Sequence, residues 1–537
     1  MVLTPLFLAL FAFQDPVSTA QDPANPTESP VLTDQAEQQA APAPAADSGP
    51  RTLSLRVEDV VRLVLEHSPA VRQAHLRTLA SEGSITEASG IFDPVLFGEL
   101  TYSYSERENA GGFFSGGVSN THIRSWQGQQ GIRQTLLTGG TLSVSLNETY
   151  TEDNQPTRFF GFNPQSDVAF SASFSQPLLR GGWYTSTTSG IRQAELNYES
   201  QIATLRQTAQ EDLQRAVDAY WDLAFALEDL EVKEFSLRLG EELKDVTEAK
   251  FRVGTAAEVE VVQTEADIAA RRDALITARN LVEVRRDALR ALIFRLEEIQ
   301  DWELSLLPVS EPPPPDTVDL RWTEALEVAR QFRPELRNGR ILLEQARLGW
   351  EVARKNLLPK LDFTGTVNSS ATREQLPEAY SPTFDFTAAG YSVGLVMEIP
   401  LGNRTFTGAE RRSRLEYFLA HRSLRDQEHA IAGEVRDAVR TVNYLAERVR
   451  ITLRAREVAE RQLEAEQRRL KEGASTNFQV LQFQEDLVVA LSNEKNAQLE
   501  YAKALTRLNT VQGLNWDGSS PQLPELEDYT PSDSPLE

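Results

Sequence analysis

A duplicated segment constrains the fold of this chain more than any other feature of its sequence. Residues 53–76 align without a gap with residues 318–341, at an offset of 265. The same offset places Pro94 onto Pro359, and at both prolines a helical pattern gives way to an alternating one. A residue before proline is disfavoured in helical geometry, which suits such a transition. The sequence therefore predicts two structural repeats with the same order of elements.

The alternating segments predict half-buried strands. Apolar residues occupy every second position, and Ser, Thr, Asn and Gly occupy the positions between them. Strands are predicted in the first repeat at 97–105, 125–137, 141–151 and 167–176, and in the second within 361–398. Loops rich in Gly, Asn and Pro are predicted at 106–122, 153–166 and 373–384. The polar face lacks the large side chains of a soluble core and suits a water-filled lumen.

Long amphipathic helices follow the strands in both repeats, after Pro177 and Pro400. Their apolar residues recur every three or four positions, and each helix breaks at a glycine, Gly254 or Gly473. A glycine between two such helices marks a helix end and a tight reversal. The predicted helices span about 186–253, 257–304, 408–471 and 476–511. They form two hairpins, whose apolar stripes must pack on each other and on neighbouring chains.

The predicted organisation has six parts. They are a signal peptide (1–20), a disordered linker (21–51), repeat 1 (52–305), a Pro-rich connector (306–318), repeat 2 (319–512) and an acidic Pro-rich tail (513–537). The signal peptide is predicted from a short apolar run before a small-residue site. No basic residue precedes that run, so a mis-chosen start or a disordered end is the alternative. A chain without a long apolar helix can span a membrane only as a β-barrel, and one chain has too few strands to close a conducting one.

Composition excludes several functions. The formal net charge of −25 disfavours nucleic-acid binding. With no cysteine, the chain has no disulfide, thiol nucleophile or Cys-ligated metal. The five histidines lack the i, i+4 spacing of a helical zinc pair, and no phosphate-loop, dinucleotide or Gly-x-Ser-x-Gly motif occurs. The segment 111–117 lacks the lysine of a phosphate loop and is predicted to be a mobile loop. We expect neither enzymatic activity nor a cofactor.

The ordered, doubled set of features resembles the TolC family of outer-membrane efflux proteins over about residues 52–512. The resemblance rests on the duplicated segments, the four junction prolines (Pro94, Pro177, Pro359 and Pro400) and the two glycine turns with their downstream Val-Val/Leu-Gln. It implies an α+β membrane protein. Three chains would share one twelve-stranded transmembrane barrel, continuous with a long periplasmic α-helical barrel. Such a duct passively conducts substrates of an efflux or type I secretion system across the outer membrane of a Gram-negative-type bacterium.

The resemblance also implies partners and sites. The partners would be outer-membrane lipid, a periplasmic adaptor protein and an inner-membrane pump of the RND, ABC or MFS type. The adaptor would dock on the hairpin tips, at Val253, Gly254, Thr255, Glu472, Gly473 and Ala474. TolC carries acidic pore residues six and nine positions after the second glycine, where this chain has Gln479 and Gln482. The first hairpin is acidic instead, so Glu260, with Glu258 nearby, is the better candidate for a cation-selective constriction.

Two questions stay open at the level of sequence. Repeat 1 has four predicted strands where the family uses two, so the extra pair either enlarges the barrel or forms an extracellular hairpin. A periplasmic coiled-coil scaffold or adaptor without a pore would show the same long hairpins, although it needs no alternating strands between prolines. Trp126, Trp183 and Tyr184 fit an aromatic girdle at the membrane interface, with ordinary packing as the alternative.

Overall fold

The structure is a computed structural model that describes residues 52–108, 120–154, 162–294, 304–315 and 321–519. The predicted signal peptide and linker, the segment 111–117 and the tail beyond residue 519 lie outside the described residues.

The two repeats begin with equivalent helix pairs. In repeat 1, α1 (Val57–His67) and α2 (Pro69–Ser89) follow the short strand β1 (Thr52–Leu55). In repeat 2, α6 (Trp322–Phe332) and α7 (Pro334–Lys355) start 265 residues later. A proline opens the second helix of each pair, where its missing N–H leaves no hydrogen bond unmade. The offset found in the sequence is therefore an offset between folded elements.

Six strands form one antiparallel sheet in the order β2-β3-β4-β5-β7-β8. They are β2 (Val95–Glu108), β3 (Asn120–Thr135), β4 (Thr141–Asp153), β5 (Gln165–Pro177), β7 (Lys360–Arg373) and β8 (Ala389–Glu398). All four predicted stretches of repeat 1 are strands of this sheet. The count of four strands per chain that the resemblance implies does not hold here.

The faces of the sheet differ in polarity. Pairing Tyr102 with Trp126 and Leu395 with Phe363 places large apolar side chains on one face. Pairing Ser143 with Ser173 places small polar side chains on the other. The short helix α8 (Leu376–Phe384) packs near the loop end of the apolar face, where Thr383 donates a hydrogen bond to the carbonyl of Val168 (3.1 Å). The sequence predicted only a loop at 373–384. Pro377 lies in the first turn of the helix, where proline is tolerated.

Two long helical hairpins extend away from the sheet. After the single turn α3 (Tyr184–Thr187), the first hairpin consists of α4 (Ser189–Arg252) and α5 (Glu258–Ile293). The second consists of α9 (Arg404–Lys471) and α10 (Asn477–Val511). With 64 residues, α4 is about 96 Å long. Within the described part of the chain, none of the helices combines the length and apolarity needed to cross a membrane.

The middle of the helical region holds the largest apolar core, in which α1, α4 and α5 meet a small parallel sheet. That sheet pairs β1 with β6 (Ser305–Pro308). Tyr220 of α4 is fully buried, donates a hydrogen bond to the carbonyl of Leu55 (3.1 Å) and accepts one from the backbone N–H of Ser310 (2.9 Å). The first residues of the predicted connector are thus a strand tied to the core.

The returning helix of the first hairpin ends earlier than the sequence indicated. It was predicted to continue to residue 304 but ends at Ile293. Arg290 in its last turn donates a hydrogen bond from Nε to the carbonyl of Leu304 (2.9 Å), immediately before β6. The chain must leave the helix in order to run parallel to β1, and helical periodicity alone does not record that requirement.

Candidate pore tip and helix–strand junctions

The hairpin tips have the same backbone geometry in both repeats. Gly254 and Gly473 adopt left-handed φ angles of 78° and 75°, which other residues disfavour. In the first tip the N–H of Thr255 bonds the carbonyl of Lys250 (2.9 Å), and the N–H of Gly254 bonds that of Phe251 (2.9 Å). The second tip repeats both bonds. This Schellman pattern satisfies the last helical carbonyls and reverses the chain.

A polar contact joins the two tips within one chain. The buried Asn477, first residue of α10, donates a hydrogen bond from Nδ2 to the carboxylate of Glu260 in the first turn of α5 (2.8 Å). The same nitrogen donates to Oγ1 of the buried Thr247 on α4 (3.0 Å). Glu260 is half-buried as a result. Sequence reasoning singled out Glu260 but missed Asn477, which lies 217 residues away.

The other constriction candidates surround this contact. Glu258 is exposed in the first turn of α5, and Gln479 and Gln482 are exposed in the first two turns of α10. The predicted docking residues Val253, Gly254, Thr255, Glu472, Gly473 and Ala474 are likewise exposed. The structure therefore brings all the tip candidates to one end of the molecule, and only Glu260 among the constriction candidates is partly covered.

Apolar side chains are exposed at the same end, and the sequence analysis missed most of them. They are Phe251, Val253, Val259, Val262 and Phe478. Val253 is 74% exposed and Phe478 is 64% exposed. Clustered exposed apolar side chains on a soluble surface mark a site of protein association. Their adjacency to each glycine turn was the signal available in the sequence.

A buried arginine links the first hairpin to the second at a position farther from the tips. Arg271 of α5 donates from Nη1 to the carbonyl of Ser236 on α4 (2.6 Å) and from Nη2 to Oε1 of Gln484 on α10 (3.1 Å). Its Nε pairs with Asp267 (2.6 Å). A Cβ at Gly240 would lie 3.1 Å from Cδ of Arg271, so a glycine gives this side chain room.

The four junction prolines lie at the sheet ends that face the long helices. Pro94 and Pro359 directly precede β2 and β7, Pro177 is the last residue of β5, and Pro400 lies two residues after the end of β8. Across the sheet, Val95 is opposite Arg133, then Ser143, Ser173, Thr366 and finally Ser392.

This register staggers the junctions along the strands. Val95, which follows Pro94, lies on the same line across the sheet as Ser392 of β8. The residue next to Pro400 is Ile399, which is seven residues further along the chain than Ser392. Seven residues are about 23 Å along a strand, and five strand spacings are about 24 Å. If Pro94 and Pro400 lie in one plane across the end of the sheet, the strands are inclined by about 44° to the normal of that plane.

Aromatic side chains form a second level on the apolar face. Tyr102 lies eight residues after Pro94, and Tyr391 lies nine residues before Pro400. Trp126 is the cross-strand partner of Tyr102, with ring centroids 4.7 Å apart, and of Tyr150 on its other side. Three of them are exposed despite their size, at 51% for Tyr102, 39% for Trp126 and 85% for Tyr391. Trp183 and Tyr184 are exposed below the sheet, and Nζ of Lys355 lies 5.7 Å from the ring centroid of Trp183.

The sequence model of the outer membrane efflux protein family matches residues 142–293 and 325–514, well over half of the chain. The chain belongs to the outer membrane efflux protein family. The alkaline protease secretion protein AprF of Pseudomonas aeruginosa is 23% identical over 392 residues, covering 71% of this chain and 78% of AprF.

Solved structures of outer-membrane channels share the fold. The outer-membrane channel OprN superposes with a TM-score of 0.62 at 17% identity, covering 86% of this chain and 90% of OprN. CmeC of Campylobacter jejuni superposes with a TM-score of 0.61 at 15% identity, covering 86% of each chain. As a member of this family, the chain is an outer-membrane efflux channel with a periplasmic helical part, and not a scaffold without a pore.

Proposed function

We propose that three copies of this chain form a passive exit duct, in which the sheets close a transmembrane barrel and the helical hairpins form a periplasmic tunnel. The observation that carries the proposal is the separation of the sheet from the two joined hairpin tips. These lie at opposite ends of helices about 96 Å long. The duct would act with a periplasmic adaptor and an inner-membrane pump that supplies the energy, while the chain itself makes and breaks no covalent bond.

The junction prolines and the aromatic row support the position of the membrane. Eight to nine residues of a strand inclined by about 44° rise about 19–21 Å. That rise separates the level of Pro94 and Pro400 from the level of Tyr102 and Tyr391, and it approaches the roughly 25 Å apolar band of outer-membrane barrels. Trp126 would belong to the outer girdle, with Trp183 and Tyr184 near the periplasmic one. The apolar face would contact lipid and the Ser- and Thr-rich face would line the lumen.

The tips carry the selectivity and the docking surface in this proposal. Glu258 and Glu260 from three chains would place six carboxylates around the periplasmic mouth, which attract cations and repel anions. Gln479 and Gln482 at the matching turns of the second hairpin would line the same mouth without charge. The exposed apolar residues beside Gly254 and Gly473 would receive the helical hairpin of the adaptor, because their area is otherwise left in water.

Reversal potentials in planar bilayers under a salt gradient test the proposal. The protein as a trimer is expected to form cation-selective channels, and both Glu260→Gln and Glu258→Gln are expected to reduce that selectivity. Glu265→Gln is the matched control, because this acid lies farther along α5 and pairs with Lys244 (3.2 Å). A purified trimer that forms no channel would contradict the duct. Equal selectivity in all three variants would contradict the acidic mouth.

A further inference from the structure

The hairpin formed by β2 and β3 has the properties of the rest of the sheet. It lies before the first residue matched by the family model, residue 142, and the described residues of repeat 2 contain no counterpart of it. Its strands contain 14 and 16 residues, at least as many as the 13 of β4 and of β5. Fourteen consecutive residue pairs join β2 to β3, and thirteen join β3 to β4. The ladder continues without a break from the hairpin into the shared sheet.

Strand β2 of this hairpin also keeps the two faces of the sheet, whereas β3 alternates less strictly and places Gln130 on the apolar face. Leu96, Leu100 and Tyr102 lie on the apolar face, and Thr101 and Ser103 lie on the polar face. A shift of register by one residue would exchange the faces, so this agreement specifies the register. The aromatic row continues through the hairpin as Tyr102 and Trp126. A hairpin projecting into solvent has no need for an apolar face at the level of the lipid.

The edges of the six-stranded sheet are β2 and β8, and each has one side that pairs with no strand among the residues that the structure describes. Exposed, long, apolar edge strands associate with other strands. Six strands is an even number, so β8 of one copy meets β2 of the next in antiparallel orientation. The seven-residue stagger already corresponds to an inclination of about 44°, in the range of closed barrels.

We propose that β8 of each protomer pairs directly with β2 of the next, so that the trimer closes a barrel of eighteen strands. This inference rests on the proposed trimeric duct and departs only from the twelve strands that the family resemblance implies. At this inclination, eighteen strands enclose a ring about 38 Å in diameter, against about 25 Å for twelve. The opening of the barrel at the cell surface is therefore wider than that of a twelve-stranded barrel. The strand that pairs with the β2 edge belongs to a second copy of this chain.

The stagger also gives the register between copies. Because the stagger is seven residues over five strand spacings, the next spacing, from β8 to the neighbouring β2, adds between one and two residues to it. Residues paired between the copies must also lie on the same face of the sheet. These conditions place Ser392 of β8 opposite Ser103 of the neighbouring β2, both on the polar face. In a twelve-stranded ring with the added hairpin displaced, Ser392 would instead lie opposite Thr149 of the neighbouring β4. The two arrangements exclude each other, because three strand spacings, about 14 Å, exceed the reach of a disulfide.

Cysteine cross-linking in outer-membrane vesicles distinguishes these arrangements, and the absence of native cysteine leaves no background. Ser392→Cys is combined in turn with Thr101→Cys, Ser103→Cys and Ser105→Cys, and separately with Thr149→Cys. Ser125→Cys with Thr151→Cys is the control within one chain, because these residues are direct partners in β3 and β4. After oxidation, samples are denatured and separated without reductant.

The expected result is a covalent trimer with Ser103→Cys and none with Thr149→Cys, together with an intrachain bond between positions 125 and 151. A covalent trimer with Thr149→Cys would overturn the proposal in favour of a twelve-stranded ring. A trimer of native size that is cross-linked by neither set would overturn it as well. If the protein in the outer membrane is not trimeric by size, the proposed duct itself fails, which the same vesicles report before oxidation.

Discussion

The contact between Asn477 and Glu260 predicts how the periplasmic tip opens. Replacing Asn477 with alanine removes the donor of a 2.8 Å hydrogen bond to a half-buried carboxylate. Hydrogen bonds to charged groups contribute about 1.5–3 kcal/mol, and the loss corresponds to a change of about 10- to 150-fold in an equilibrium constant for each copy. We expect the two hairpins of each chain to separate more readily and the mean conductance to rise.

Asn477→Asp is the stronger perturbation, because it replaces the donor with a second carboxylate. Two unit charges about 4 Å apart near a protein surface repel by about 4 kcal/mol. The double variant Asn477→Asp with Glu260→Gln exchanges donor and acceptor and should restore the contact at neutral pH.

Single-channel recordings at pH 7.5 measure both effects. The expected order of open probability at pH 7.5 is Asn477→Asp, then Asn477→Ala, then the exchanged double variant beside the unmodified protein. Asn493→Ala serves as the control, since this exposed amide lies sixteen residues further along α10, away from the tip. An Asn477→Asp channel that gates like the unmodified protein, or a double variant that stays open, would refute the reasoning.

Two further predictions concern stability, measured by circular dichroism of the purified protein. Arg271→Met leaves Asp267 and Gln484 without their buried partner, so we expect the free energy of unfolding to fall by about 3 kcal/mol, whereas Arg272→Met at an exposed pair should change little. Burial raises the pKa of Asp218 to about 6, so its ionisation costs stability as the pH rises from about 4 to 6. Asp218→Asn should therefore match the unmodified protein near pH 4 and exceed it by about 1–2 kcal/mol at pH 7.5, after allowance for partial exposure; the reverse order would contradict the assignment.

Local signals made the repeats and turns predictable from the sequence. Proline and glycine bracket the long elements, so that α9 ends two residues before Gly473 and β2 begins directly after Pro94. Long-range pairing was not predictable. The strands β1 and β6 have four residues each and lie about 250 residues apart, too short and too distant to leave a periodic signal. The contact of Asn477 with Glu260 depends on how two hairpins pack, which no pattern within either hairpin encodes.

The hydrogen bond between the two hairpin tips depends on a sequence difference between the repeats. The offset of 219 that aligns the two glycine turns places Asn477 onto Glu258 and Gln479 onto Glu260. If the second hairpin repeated the first, position 477 would carry a carboxylate beside Glu260, and the hairpins of one chain would repel each other there. An amide at 477 converts that repulsion into a hydrogen bond, while the acids of the first hairpin remain. The duplicated hairpins thus form the two sides of the tip, and the difference between the repeats at position 477 provides the hydrogen bond between them.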